Sequence, residues 1–162
     1  MGLAERRWLR LFTLCILYVA QGVPFGFMAT ALPTYIKSAG VSDAVVGSAL
    51  AMTTLPYTFK WIWGPLMDLL TIPSLGRRRP WIMFAQLMMA VTVLAMLAIP
   101  DVTVDLDMLA WIILIHSVFN SMQDVAVDAL AVDLLDERER GRANGLLYAC
   151  KYGGVVIGAG AM

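Results

Sequence analysis

The sequence predicts an all-α integral membrane protein with about five transmembrane helices, and three observations carry that prediction. Of its 162 residues, 60% are hydrophobic and 15% charged, against about 45–50% and about 25% in soluble domains. Residues 11–36 and 80–100 contain no charge at all, and ~20 apolar residues suffice to cross ~30 Å of hydrocarbon. The nine arginines fall into three clusters separated by arginine-free loops, the asymmetry that sets membrane topology. A soluble helical domain does not explain charge-free runs of bilayer length. The formal charge of zero leaves no basic field for nucleic acid, and the composition excludes disorder and a disulfide scaffold.

The spans read, in order, 11–36, 44–67, 80–100, 108–134 and 143–162. Backbone inside a bilayer must satisfy its own hydrogen bonds, so each is a helix. The first carries Gln21-Gly22-Val23-Pro24-Phe25-Gly26 in its middle. Pro24 removes a backbone donor and crowds the preceding turn, so a bent, cavity-lining helix is expected, with Gln21 as its polar group. A cleaved signal peptide fits poorly, because the apolar run is too long and is broken by Gly22 and Pro24. The second span is interrupted only by Lys60, and the third has no charge. The fourth carries Asp124, Asp128 and Asp133. The fifth is apolar apart from Lys151, and Gly153, Gly154, Gly158 and Gly160 suit it to close packing. It reaches Met162 without a polar cap, from which a fragment or a gene cut short is expected. Cys15 and Cys150 lie inside spans and form no close-spaced pair, and His116 has no metal-ligand partner near it in sequence, so neither metal nor cofactor is expected.

The clusters are Arg6, Arg7 and Arg10; Arg77, Arg78 and Arg79; and Arg138, Arg140 and Arg142. They place the N-terminus and the loops after the second and fourth spans in the cytoplasm. Trp8, Trp81 and Trp111 fall at span ends, where amphipathic rings settle.

Ionised groups inside a membrane need a reason. On a helical wheel of the fourth span, Ser117, Asn120, Ser121, Asp124 and Asp128 form one stripe, which must face protein or water. Hydrogen-bonded glue between helices accounts for the serines but less well for two acids one turn apart. Counting from the Arg-rich side, Asp128, Lys60 and Lys151 all lie ~12–14 Å deep at 1.5 Å per residue, with Asp124 ~6 Å deeper. A charge layer follows in which Lys60 balances Asp128, and Asp124, nearer the midplane, carries a proton. Gln21, Asn120 and Gln123 are the candidate solute-cavity residues.

The segment Gly64-Pro65-Leu66-Met67-Asp68, followed by Gly76-Arg77-Arg78-Arg79, resembles the cytoplasmic loop signature of major facilitator superfamily transporters. Seven residues separate Asp68 from Gly76, and no arginine directly follows the Asp, both departures from the general pattern. Together with Phe59-Lys60-Trp61-Ile62-Trp63 and Gln123-Asp124-Val125-Ala126-Val127-Asp128, the match is more specific. It resembles the AmpG-type muropeptide permeases, which share a family with acetyl-coenzyme A transporters. The resemblance covers nearly the whole chain. It implies the N-terminal helices of a bundle of two six-helix halves, whose C-terminal half is missing here. It also implies proton-coupled uptake of an organic solute such as a muropeptide across a bacterial inner membrane. Lys60, Asp124 and Asp128 match charged positions of the family pattern, while Gly64, Asp68, Gly76 and the three loop arginines match its cytoplasmic gate. Glycine at Gly64 would let helices approach. The partners implied are a small solute, protons and the lipid bilayer. Two other classes compete. An intramembrane metal-dependent enzyme would need further acids upstream of Asp124, and none precede it in that span; a five-helix scaffold leaves the charge layer without a purpose.

Overall fold

The computed structural model describes residues 6–70, 76–101 and 104–160. Every regular element among them is helical. The last two residues expected in the fifth span, and most of the spacer between Asp68 and Gly76, lie outside the described residues.

Helix α1 (Arg7–Ser38) is one long rod with a π-helical turn at Phe27–Ala31. The turn lies between two prolines. Pro24 sits inside the preceding α segment, and Pro33 opens the following one. Each removes a donor and presses its ring on the carbonyl four residues back, so the ladder widens where both constraints meet. The expected bend at Pro24 is thus a change of helical pitch just beyond it.

The second span departs most from expectation. Helix α2 (Asp43–Thr58) stops early, a single 3₁₀ turn follows at Lys60–Ile62, and a short helix α3 (Trp63–Leu69) completes the passage. Pro56 sits near the end of α2, and an α-helix running into α3 would drive the ring of Pro65 against the Trp61 carbonyl. Tighter i to i+3 bonds take over instead, with Phe59 N–H on the Pro56 carbonyl (3.2 Å) and Ile62 N–H on the Phe59 carbonyl (3.1 Å). The break therefore falls at Lys60, where an unbroken helix was expected.

Helix α4 (Arg79–Leu97) begins with Pro80 in its first turn, where the missing N–H costs nothing. Helix α5 (Leu106–Leu134) is central and packs on α2, α3, α4 and α1. Helix α6 (Glu137–Ala159) starts six residues before the expected fifth span, with Glu137 and Glu139 complementing the positive end of its dipole. Helices α1, α4 and α5 are each long and apolar enough to cross a membrane. The other two passages fall short of that measure, α2 through its early stop and α6 through its charged first turns.

The longest seam joins α1 to α6. Gly22 and Gly26 on α1 meet Gly154 and Gly158 on α6, each pair four residues apart. A Cβ on Gly154 would lie 2.6 Å from the Val19 carbonyl oxygen, and one on Gly158 would overlap that of Val23. Small residues at this spacing let two backbones touch. Gly153 faces open space, so only part of the expected glycine set makes the seam. Gly64 likewise has nothing within 4 Å of a Cβ, so the close approach expected there is absent among the described residues.

Two apolar clusters fill the bundle. One, toward the Arg-rich end, contains Leu14, Met67, Ile82, Met122, Ala126 and Leu147. The other contains Met28, Ile36, Val46, Met96, Leu109 and Ile113. Between them along α1 and α5 lie the buried polar residues Gln21, His116, Ser117, Asn120 and Ser121, with Gln123 and Asp124 just past Met122 at the edge of the first cluster. The outer surface exposes Phe12, Ile16, Leu87, Leu94, Val156 and Ile157, as a lipid-facing surface does.

Candidate functional site

Asp124 is the hub. Its carboxylate is 6% exposed and accepts from Lys151 Nζ on α6 at 2.5 Å and from Lys60 Nζ in the 3₁₀ turn at 3.3 Å. Three elements therefore converge on one acid. The expected charge layer exists, but its pairing differs. Lys60 meets Asp124 rather than Asp128, because the break after Thr58 displaces the lysine from the level that an unbroken helix gives it. A four-carbon stem also spans the ~6 Å between the two acids' levels.

Asp128 makes a different contact. The Tyr18 hydroxyl of α1 donates to its Oδ1 at 2.5 Å, and no ion pair to it forms among the described residues. Tyr18 is itself buried and stacks edge-on with Tyr148 of α6. One turn before Asp124, the Trp63 indole N–H donates to Ser121 Oγ at 3.1 Å, and the Ser121 hydroxyl donates to the Val118 carbonyl. These contacts tie α3 and α1 to the stripe on α5. Tyr18 and Trp63 were missed in sequence. Tyr18 stands in a charge-free run with no pattern to flag it, whereas Trp63 falls inside the family-like segment.

The three amides do not share one cavity. Gln123 lines a cavity of about 930 Å³ between α1, α4 and α5, with His116 and Gln86 among its few polar neighbours. Gln21 and Asn120 do not line it. All three amides are buried, and Gln21 and Gln123 have neither amide atom bonded among the described residues. Thr92 Oγ1 and His116 Nδ1 lie 2.8 Å apart, joining α4 to α5. The acids of the charge layer do not face this cavity either. Lys60, with 47% of its side chain exposed, opens the layer to the outside on another face.

At the Arg-rich end, Asp68 closes α3. Arg78 Nη1 lies 2.9 Å and Arg77 Nε 3.8 Å from Asp68 Oδ1, and Arg78 also approaches Asp133 Oδ2 at 3.7 Å. Arg78 is only 12% exposed, so one guanidinium links α3, the loop and α5. Asp133 is a member that sequence reading left out; its position near the Arg-rich end of α5 was the available signal. Gly76 has φ +82°, a left-handed conformation that suits glycine at the turn. Arg79 opens α4 and is exposed. Arg140 caps α5 by donating to the carbonyls of Leu135 and Val132.

A buried acid held by two lysines from separate elements, inside a bundle with an apolar exterior, defines an integral membrane protein with a charged interior. The sequence profile of the Major Facilitator Superfamily matches residues 14–162. The chain belongs to that superfamily, a family of transporters rather than enzymes. Its relatives include a Rickettsia conorii protein that carries the name transporter AmpG 4, 30% identical over 94% of this chain and 37% of its own length. The anhydromuropeptide permease of Escherichia coli is 30% identical over 79% of this chain and 26% of its own length. An uncharacterized protein of Haemophilus influenzae is 29% identical over 85% of this chain and 32% of its own length. The chain thus spans about a third of the length of these relatives. No solved structure matches it.

Proposed function

We propose that the chain forms the N-terminal part of a proton-coupled carrier moving an organic solute, such as a muropeptide, across the bacterial cytoplasmic membrane. The observation that carries this reading is the asymmetric pair of acids on α5. Asp124 holds two lysines, whereas Asp128 holds a phenol. The pairing moves the proposed roles. Asp124 is the fixed anchor, and Asp128, with no cation bonded to it among the described residues, takes and releases the proton. With both acids ionised and both lysines charged, the layer is neutral. A proton on Asp128 makes it singly positive and weakens the charge-assisted bond from Tyr18. A layer that changes charge biases the carrier between its two openings.

In this reading Gln123, on the wall of the larger cavity, offers the solute the hydrogen bonds that other side chains leave unmade, whereas Gln21 and Asn120, expected to join it, do not line that cavity. Asp68, Gly76, Arg77, Arg78, Arg79 and Asp133 form the cytoplasmic gate. The rest of the carrier, corresponding to the greater length of the relatives, supplies the opposing wall. The arginine clusters support an N-terminus in the cytoplasm; a cysteine at Glu137 that an impermeant thiol reagent labels on intact cells, with one at Ser42 unlabelled, would reverse that orientation.

The test is uptake into vesicles by a carrier containing this chain, using labelled anhydro-muropeptide and an imposed pH gradient. Accumulation against the solute gradient is expected. Exchange without accumulation would remove proton coupling, and the absence of both would remove the solute class.

A further inference from the structure

The N-terminal turns of α1 and α6 enclose a second cavity, of about 300 Å³, that none of the roles above uses. Its polar side holds Arg7, Arg138 and Arg142, and its apolar side holds Leu11, Ala143 and Leu146. Glu139 is the acid at this site, and both of its oxygens are engaged. Arg7 Nε lies 3.0 Å from Oε1, and Arg10 Nη2 donates to Oε2 at 2.9 Å. That carboxylate therefore does nothing for Arg138 and Arg142, which stand one turn apart on α6. Neither forms an ion pair or side-chain hydrogen bond among the described residues. Two uncompensated guanidiniums thus border a cleft whose other wall is aliphatic.

The surroundings set the depth. Trp8, next in the chain to Arg7, is 86% exposed, and Phe12 and Leu146 are exposed one turn further along α1 and α6. The cleft lies where the charged ends of the helices give way to their lipid-facing sides. A ligand fitting it needs a phosphate for the forks of Arg138 and Arg142, which suit two oxygens at once. It also needs hydrocarbon to continue along Leu11 and Leu146. We propose that this cleft binds the headgroup of an anionic phospholipid from the surrounding leaflet, its phosphodiester on Arg138 and Arg142 and its acyl chains along α1 and α6. Basic pockets between transmembrane helices at the membrane surface hold such headgroups. The site is separate from the charge layer and does not depend on the transport reading.

The test is native mass spectrometry of the chain in detergent with equimolar phosphatidylglycerol and phosphatidylcholine. Preferential retention of phosphatidylglycerol is expected. Arg138→Gln and Arg142→Gln should each lower its retention about fivefold, the worth of one arginine at an anionic surface. Lys37→Gln, an equal loss of charge at another exposed site, should leave retention unchanged, and helicity by circular dichroism should match across all variants. Unchanged retention in the α6 variants, or an equal fall in Lys37→Gln, would overturn the site. Displacement by glycerol phosphate at the concentration of the lipid would overturn the lipid as occupant in favour of a free phosphate.

Discussion

Two charged assemblies in this molecule use the same chemistry in different solvents. The layer around Asp124 joins three elements through an acid that is 6% exposed, whereas the cluster around Asp68 joins α3, the loop and α5 through an acid that is 52% exposed. In the first, the cost of drawing charges out of water has been met only because two cations share one acid. Removing one member strands the others. In the second, water replaces a lost partner at little cost. Ion pairs of the same chemistry therefore differ in what they hold together. The interior layer holds three elements together at that depth, whereas the end cluster can lose a partner to water at little cost.

The largest effect expected from this contrast is that of Asp124→Asn, which leaves Lys60 and Lys151 without their acid. It should destabilise the folded chain by about 3–5 kcal/mol, read as a fall in thermal unfolding midpoint in detergent. A smaller loss belongs to the glycine seam, which holds α1 to α6 without charge. Gly154→Ala should cost about 1–3 kcal/mol through overpacking against Val19. Gly153→Ala, with open space around it, should be neutral in the same assay. The smallest effect should come from Asp68→Asn, within about 1 kcal/mol of wild type in unfolding. Its consequence should appear instead in the cycling rate of a carrier containing this chain. A large loss of stability in Asp68→Asn would erase the contrast.

Much of this was legible in the sequence. Charge-free length marked the long apolar helices α1 and α4, and a 100° wheel put Asn120, Ser121 and Asp124 on a buried stripe. What failed was depth counting across the second span. It assumed an ideal helix through Pro56 and Pro65, and the 3₁₀ turn moved Lys60 to a different acid. Tyr18 was invisible for another reason. A phenol in an apolar run carries no sign of which helix its hydroxyl will meet, since that depends on how α1 and α5 are rotated. Gly22 was read as a break in the first span and Gly26 only as part of its middle, and their contact surface emerged only with α6 against them.

The central claim is that the lysines of the layer belong to Asp124 and not to Asp128. Its most direct test is a pair of double-mutant cycles by thermal unfolding, one combining Lys151→Met with Asp124→Asn and the other combining it with Asp128→Asn. The structure predicts coupling of about 1–3 kcal/mol in the first cycle and additivity within about 0.5 kcal/mol in the second. Additivity with Asp124→Asn and strong coupling with Asp128→Asn would contradict it.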